Sequence, residues 1–284
     1  MMEVTDLTYL MSILMGIIQG VAEFLPISSS GHLALFQAFF GMENVEESHL
    51  FFTVLLHFGT LVSVCLVYWR DIVEMIREFF LGIASLAGKK GTGATPPPAR
   101  RLVMLIIVAT LPLFVMVLFQ DALESLFSNV ILVSCALIAT GFILFFSDRL
   151  AHGRKSAKNA TVADALIVGC GQAIAVIPGL SRSGTTISVG MLRGFDRNFA
   201  VRFSFLMSLP AVLGANILSL KSALETGFDH SLLPVYLVGV VVAAVVGYFA
   251  IRLIKSLADK GKFGSFAYYC WAVGILTLVL QAVK

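Results

Sequence analysis

The protein has 284 residues, of which 58% are hydrophobic and 13% are charged. This number of polar side chains is too small to cover the surface of a soluble globule of this length. The composition therefore excludes a soluble protein and predicts a polytopic membrane protein. The net charge is only +3, and the four cysteines lie in apolar segments without paired spacing, which argues against disulfides and a cysteine metal site.

Two broken apolar segments and six long ones follow each other along the chain. The first broken segment, 7–40, is interrupted at 28–32, and the second, 162–194, is interrupted at 181–184. A helix needs about 20 apolar residues to cross a bilayer. The stretches that meet this length are 50–69, 102–119, 130–147, 200–220, 232–251 and 265–283. The sequence predicts an all-α polytopic membrane protein with six transmembrane helices and two re-entrant helix pairs.

The two broken segments resemble each other in sequence. When the chain is aligned with itself at an offset of 153 residues, nine of the 41 positions from 16 to 56 are identical. Chance would give roughly three identities for such a composition. Three predicted spans separate the copies, and an odd number of crossings turns the second copy upside down. We therefore expect one membrane domain, 1–284, built from inverted repeats at about 1–147 and 162–284.

Basic residues are distributed unevenly between the two sides of this topology. Seventeen of the 20 Lys and Arg residues fall in four loops on one side, whereas Lys221 and Lys284 lie on the other and Arg182 lies within the membrane. The four basic loops are 70–101, 148–161, 193–202 and 252–262. The positive-inside rule makes their side cytoplasmic, so both termini are expected outside. This asymmetry explains the basic loops without nucleic-acid binding.

The two copies carry complementary chemical groups. The first has Glu23, Ser29 and His32, and the second has Arg182 at the position of Ser29. Serine-capped helix starts direct N–H groups and positive dipole ends at each turn, and with a guanidinium they form an anion site suited to phosphate. Glu23 and Arg182 could also form a structural ion pair, but charges within a membrane usually mark function. Gln19 is either a wall of the site or a helix–helix hydrogen bond.

The two motifs resemble the signatures of the bacterial undecaprenyl-pyrophosphate phosphatases associated with bacitracin resistance. The first signature corresponds to QGVAEFLPISSSGH at 19–32 and the second to PGLSRSGTTIS at 178–188, and the resemblance extends over essentially the whole chain. It implies a multi-pass enzyme of the bacterial cytoplasmic membrane. Such an enzyme removes the terminal phosphate of a C55 isoprenyl pyrophosphate and regenerates the lipid carrier for cell-wall synthesis. The family fold is similar to the one predicted above.

The resemblance also implies roles for individual residues. The positions that match functional residues of the family are Glu23, Ser28, Ser29, Ser30, His32, Ser181, Arg182, Ser183 and Thr186. Some members carry a second glutamate where this chain has Gln19, which leaves Glu23 as the main carboxylate of the motif.

These residues predict phosphoryl transfer through a phosphoenzyme. Arg182 is expected to hold the terminal phosphate while Ser29 or His32 attacks it. His32, about one helical turn after Ser29, is placed to take the serine proton. Glu23 is expected to orient or deprotonate the nucleophile, or to hold a divalent cation, Mg²⁺ or Ca²⁺. The expected substrate-binding residues are Gln19, Ser28, Ser30, Ser181, Ser183 and Thr186.

A lipid-carrier flippase or a secondary transporter is the alternative, since inverted repeats with broken helices are also the architecture of secondary carriers. A carrier needs a site that is reachable from both faces, but it needs no nucleophile beside an acid and an arginine. The expected partners are the isoprenyl pyrophosphate and the bilayer, with a homodimer as a candidate assembly. We expect the active site to open outward, where the spent carrier is released.

Overall fold

The computed structural model describes residues 7–40, 50–86, 97–226 and 229–283, and the regular elements within these ranges are helices. The first six α-helices are α1 (Tyr9–Ala22), α2 (Ser29–Phe40), α3 (Leu50–Val67), α4 (Trp69–Leu86), α5 (Pro98–Val117) and α6 (Gln120–Phe127). The next six are α7 (Val130–Leu150), α8 (Val162–Ile174), α9 (Arg182–Leu192), α10 (Arg197–Thr226), α11 (Leu233–Asp259) and α12 (Phe266–Val283). The all-α prediction is confirmed.

Five of these helices are long and apolar enough to cross a bilayer, and each coincides with a predicted span. The five are α5, α7, α10, α11 and α12. The remaining predicted span, 50–69, corresponds to α3, which is followed after one residue by α4 at an angle of 86°. The described chain therefore has five candidate spans, or six when the bent pair α3–α4 is counted as one.

Helices α1 and α8 are short, with 14 and 13 residues, and each packs along a long helix from the other half of the chain. α1 lies along α11, and α8 lies along α5. Glycines permit the close approach: a Cβ on Gly16 would lie 2.6 Å from the carbonyl oxygen of Gly239, and one on Gly169 would lie 2.2 Å from that of Ala109. Each short helix is thereby held against a full-length one.

The turn after α1 is buried in the main hydrophobic core. Phe24 is 1% exposed, and its ring meets that of Phe205 on α10 edge-on, with 5.5 Å between centroids. Leu25 and Ile27 are also buried in this cluster. An edge-on aromatic pair adds to the stabilisation that comes from burying two large rings. Packing against α10 thus sets the position of the backbone that follows Glu23.

Ion pairs tie together the segments that carry the basic residues. Asp164, at the start of α8, is fully buried and pairs with Lys155 at 2.7 Å and with Arg193 at 2.9 Å. Asp148 pairs with Arg197 in the same way across 49 residues. Charge therefore links the loop before α8 and the end of α9 to the start of α8, and it separately links the start of α10 to the end of α7.

Asp164→Asn is expected to lower the free energy of unfolding by about 1–3 kcal/mol, because two partly exposed cations lose a buried anion. Burial raises the pKa of Asp164, but hydrogen bonds from Lys155, Thr161 and Arg193 outweigh it and hold the pKa well below its ordinary value. The carboxylate therefore stabilises the fold above about pH 4, and this contribution is lost as pH falls through the lowered pKa. Thermal unfolding in detergent micelles measures both effects.

Glu225→Gln is the control, because the ion pair of Glu225 with Lys221 is exposed and 3.9 Å long, and its loss should leave the Tm unchanged. A Tm of Asp164→Asn equal to that of the wild type at neutral pH would contradict the prediction. So would a difference between the two proteins that grows as the pH is lowered.

Candidate active site

Each of the two broken segments, 7–40 and 162–194, contains a turn between two helices, and a serine in that turn caps the second helix. In the first turn Ser28 has a left-handed backbone, with φ of 70°, and its Oγ accepts a hydrogen bond from the backbone N–H of Gly31 at 3.2 Å. In the second turn the Oγ of Ser181 accepts one from the N–H of Gly184 at 3.1 Å. Helices α2 and α9 therefore both begin with a side-chain cap at the edge of a turn.

The two turns are in direct contact. A Cβ on Gly31 would lie 3.0 Å from the Cα of Gly179, and a Cβ on Gly184 would lie 3.1 Å from the Cβ of Pro26. At the offset of 153 residues Gly31 corresponds to Gly184 and Pro26 corresponds to Gly179. The same contact is therefore made twice, with the roles of the halves exchanged, and the starts of α2 and α9 lie close together.

A cavity opens between the two turns. Its lining includes one carboxylate, one guanidinium and four serine side chains. The lining residues are Ala22, Glu23, Ser28, Ser29, Ser30, Ala175, Leu180, Ser181 and Arg182. An anion in this cavity would meet a guanidinium and the positive ends of two helix dipoles, which is the combination that binds phosphate groups in proteins.

Glu23 joins the two turns through hydrogen bonds. Its Oε1 is paired with the Nη2 of Arg182, and its Oε2 accepts hydrogen bonds from the Oγ of Ser29 at 3.0 Å and from the Nε2 of Gln19 at 3.1 Å. The side chain of Glu23 is 7% exposed and that of Arg182 is 23% exposed. Their attraction therefore acts where little water screens it.

The chain matches a known family over most of its length. The model of the family described as bacitracin resistance protein BacA matches residues 12–276. The chain belongs to this family. It is 43% identical to an undecaprenyl-diphosphatase of Halothermothrix orenii over 272 residues, 95% of this chain and 97% of the relative. It is 40% identical to one of Alkaliphilus metalliredigens over 276 residues, 97% of this chain and 99% of the relative.

A third relative in the comparison is an undecaprenyl-diphosphatase of Methanosphaera stadtmanae. It is 38% identical over 283 residues, which cover 98% of this chain and 99% of the relative. The family that the two sequence motifs indicated is therefore confirmed, and the match includes both turns and the cavity between them.

The residues predicted for the site of this BacA-family chain fall into two groups. Those that line the cavity are Glu23, Ser28, Ser29, Ser30, Ser181 and Arg182. Gln19, Ser183, Thr186 and His32 make contacts around it. Gln19 is fully buried beside Glu23, and its Oε1 has no hydrogen-bond partner among the described residues.

Ser183 and Thr186 brace the second turn. The Oγ of Ser183 lies 3.3 Å from that of Ser181 and donates to the carbonyl oxygen of Leu25 at 3.3 Å. The Oγ1 of Thr186 donates to the carbonyl oxygen of Arg182 at 2.8 Å. It also lies 2.5 Å from the Oγ of Ser204 on α10, a residue that the sequence analysis did not single out. These hydroxyls link the second turn to the carbonyl oxygen of Leu25 in the first turn and to Ser204 on α10.

Both ring nitrogens of His32 contact groups other than Ser29. Its Nδ1 is 2.8 Å from the carbonyl oxygen of Ser28, and its Nε2 is 2.8 Å from the hydroxyl of Tyr269 on α12. Since a carbonyl oxygen only accepts, Nδ1 is assigned the hydrogen and Nε2 accepts from Tyr269. The partner of Ser29 is Glu23 rather than the expected His32.

Tyr269 was missed by the sequence analysis. It lies 237 residues from His32, and the two rings stack with 5.6 Å between centroids and 9° between planes. The only signal in the sequence was a tyrosine in an apolar span, which by itself does not indicate a partner.

The oxygen ligands of the cavity fit a divalent cation only together with a substrate. Among the residues that the structure describes, no group of three or more His, Cys, Asp or Glu side chains is placed to hold a metal ion. Glu23 is the one carboxylate in the described lining. Because Mg²⁺ in phosphoryl-transfer sites is bound by one or two carboxylates together with substrate phosphates, Glu23 fits as the protein ligand of such an ion.

Tyr269→Phe is expected to release the Nε2 of His32, because the phenol is its hydrogen-bond donor. The ¹⁵N NMR spectrum of the protein labelled at histidine should show the Nδ1-protonated tautomer in the wild type and a shifted Nε2 resonance in the variant. Tyr268→Phe, one residue earlier on α12, is the control and should leave this resonance unchanged. An Nε2-protonated His32 in the wild-type protein would show that the assignment is wrong.

Proposed function

We infer that the protein is an integral-membrane phosphatase that hydrolyses undecaprenyl pyrophosphate to undecaprenyl phosphate and inorganic phosphate. The BacA-family match and relatives named undecaprenyl-diphosphatase support the substrate. The observation that carries the chemistry is the contact of Arg182, Glu23 and Ser29 in one cavity. The activity recycles the lipid carrier of cell-wall synthesis in the bacterial inner membrane and underlies bacitracin resistance.

Arg182 and the two helix starts bind the terminal phosphate in this proposal. The planar guanidinium can donate two parallel hydrogen bonds to phosphate oxygens, a geometry that a lysine cannot supply. To do so it must exchange its contact with Glu23 for one with the phosphate. The hydroxyls of Ser28, Ser30 and Ser181 line the same cavity and can donate to the remaining oxygens. The isoprenyl tail stays in the bilayer between helices.

Ser29 is the proposed nucleophile, and its contact with Glu23 at 3.0 Å supports this role. The Oγ of Ser29 attacks the terminal phosphorus while its proton passes to the Glu23 carboxylate. The bond from this phosphorus to the bridging oxygen breaks, and undecaprenyl phosphate leaves. Water then attacks the phosphoserine, the Oγ–phosphorus bond breaks, and inorganic phosphate is released as Ser29 regains a proton.

A divalent cation, Mg²⁺ or Ca²⁺, held by Glu23 is also part of the proposal. When bound, such an ion supplies positive charge next to the pyrophosphate oxygens. His32 remains the competing nucleophile, since an imidazole can attack phosphorus directly. The contacts of both its ring nitrogens with other groups favour Ser29.

We further propose that 1–147 and 162–284 are inverted repeats within one membrane domain and that α1–α2 and α8–α9 are re-entrant pairs. The reciprocal contacts of the two turns support the repeat, as does the matching arrangement of α1 on α11 and α8 on α5. Helices of 14 and 13 residues are shorter than the roughly 20 needed to cross, which supports the re-entrant arrangement.

The orientation follows from the basic loops, which are proposed to be cytoplasmic, with both termini outside and the cavity opening outward. In a background without native cysteines, Ser128→Cys should react with an impermeant thiol reagent on intact cells. Lys158→Cys, in a basic loop, should react only after permeabilisation. Both side chains are exposed, so accessibility to reagent is matched. The opposite labelling pattern would contradict the orientation.

The ion pairs of Asp164 and Asp148 weigh against the transporter alternative. They link loops on the basic side, which a carrier would have to separate in order to open its site to the cytoplasm. No observation in the described structure favours transport over hydrolysis.

Purified protein is expected to release phosphate from undecaprenyl pyrophosphate, and Arg182→Lys is expected to lower turnover by roughly 10²–10³. The variant keeps the charge but loses the paired donors, a loss of about 3–4 kcal/mol of transition-state stabilisation. Gln19→Ala is the control: it removes a neighbour of Glu23 but no charge, and it should retain a measurable fraction of activity. Near-normal turnover of folded Arg182→Lys would show that the paired donors are not needed, and near-normal turnover of folded Arg182→Ala would remove the arginine from the mechanism.

A chelator is expected to reduce phosphate release by the wild-type protein, and Mg²⁺ or Ca²⁺ is expected to restore it, because Glu23 offers one carboxylate to a cation shared with the substrate. Ca²⁺ and Mg²⁺ titrations of phosphate release after chelation measure this. Full activity in the presence of chelator would exclude the cation but leave the roles of Arg182 and Ser29 intact.

Rapid acid quenching of the enzyme during turnover of substrate labelled in its terminal phosphate is expected to trap an acid-stable phosphoserine at Ser29. A phosphohistidine would instead be labile to acid and stable to alkali. Ser30→Ala is the matched control, since Ser30 lines the same cavity, and its adduct should remain at Ser29. An acid-labile adduct that persists in Ser29→Ala would assign the nucleophile to His32.

A further inference from the structure

We propose that Thr140 on α7 is a positioning residue for Arg182 and that its hydroxyl holds the second turn in place. Thr140 is fully buried. Its Oγ1 donates a hydrogen bond to the carbonyl oxygen of Gly179 at 3.1 Å and accepts one from the backbone N–H of Ser181 at 3.1 Å. One hydroxyl thus bridges both sides of the turn, immediately before the arginine. The inference rests on the proposed function, because it concerns how the phosphate-binding arginine is positioned.

Threonine hydroxyls within helices usually bond to the carbonyl oxygen of the preceding turn of the same helix. Thr110 does so with Ile106 at 2.8 Å, and Thr277 does so with Val273 at 2.7 Å. Thr140 instead bonds to residues 39 and 41 positions away. Its hydroxyl therefore contributes to the turn and not to its own helix.

The turn lies directly on α7, so the hydroxyl is within reach of both backbone groups. Gly179 has φ of 92°, and a Cβ at this position would lie 2.3 Å from the carbonyl oxygen of Val133. No side chain can separate the turn from the helix at this point. A buried backbone N–H that loses its hydrogen-bond partner destabilises the conformation that buries it. Ser181 directly precedes Arg182, so a change of backbone conformation at Ser181 also moves the arginine.

The described part of the other half of the molecule has no hydroxyl in the equivalent place: the carbonyl oxygen of Pro26, which corresponds to Gly179, instead lies 3.6 Å from the Sγ of Cys270 on α12, and a thiol is a weak donor. α7 and α12 contact each other reciprocally: a Cβ on Gly141 would lie 3.0 Å from the carbonyl oxygen of Ala267, and one on Gly274 would lie 2.9 Å from that of Ser134. In this register Thr140 corresponds to Val273, one residue before Gly274. A valine cannot donate or accept a hydrogen bond.

The hydroxyl is therefore present only beside the turn that carries the arginine. The close approach of α7 and α12 is made through these glycines, so it does not by itself require a threonine at position 140. Placement of a catalytic group within a fraction of an ångström affects turnover strongly, and displacement by about 1 Å can cost up to ~10²-fold. Thr140 supplies such placement for the guanidinium of Arg182 through the backbone of Ser181.

Thr140→Val, which keeps the shape but removes the hydroxyl, is expected to lower kcat for undecaprenyl pyrophosphate by about 10- to 100-fold, with a smaller change in KM. Thr140→Ser, which keeps a hydroxyl at this position, should have a kcat near the wild-type value. Thr277→Val, which removes only a bond within its own helix, is the control and should leave kcat unchanged. In an Arg182→Lys background, Thr140→Val should cause little further loss, because the guanidinium that it positions is already absent.

Equal kcat for Thr140→Val and the wild type would overturn the inference. A loss in the Arg182→Lys background as large as in the wild-type background would also overturn it, and so would failure of Thr140→Ser to restore turnover. If Thr140→Val does not fold, Thr140→Ala and Thr140→Ser, which differ by the hydroxyl alone, make the same comparison. A wild-type protein that releases no phosphate would contradict the proposed function, whereas an active wild type with an indifferent Thr140→Val contradicts only the role of Thr140.

Discussion

Backbone that leaves a helix within a bilayer must find its hydrogen-bond partners inside the protein, since lipid supplies none. In the proposed re-entrant arrangement, both turns of this molecule meet that requirement with side-chain hydroxyls. Ser28 and Ser181 cap the helices that follow, and Thr140 serves both sides of the second turn. These hydroxyls hydrogen-bond to the backbone of the turns, and hydroxyls are also among the donors that bind phosphate oxygens. Under the proposed function, one set of residues therefore satisfies the backbone of the turns and binds the phosphate.

The ion pair between Glu23 and Arg182 is the second requirement, and it depends on the first. A single charge buried beside these turns would cost several kcal/mol, whereas the pair leaves the cavity without net charge. Because the partners come from opposite halves, they meet only when both turns have formed and are in contact. The pair therefore links completion of the fold to assembly of the groups proposed to react, and Ser29 is hydrogen-bonded to the same carboxylate.

Much of this arrangement could be predicted from the sequence, since spans, breaks and intramembrane charges are local features of the chain. Five predicted spans match helices, and Glu23 and Arg182, which the sequence assigned to the same site, are in contact. The contacts of His32 with Tyr269 and of Thr140 with the second turn could not be predicted. They depend on how far each helix is rotated about its axis when it packs, and no motif encodes this rotation. The sharp bend after α3 likewise depends on packing that a hydropathy pattern does not describe.

The ion pair also bears on how the site is vacated. Arg182 has two potential anionic partners, a phosphate that enters and leaves and a carboxylate that is covalently part of the protein. The tethered carboxylate is always present at high local concentration, so it competes with the bound phosphate for the guanidinium. Retention of inorganic phosphate is weakened to the extent that Glu23 regains its contact. In the proposed mechanism, the residue that activates the nucleophile at the start of the cycle thus also favours clearing of the site at its end.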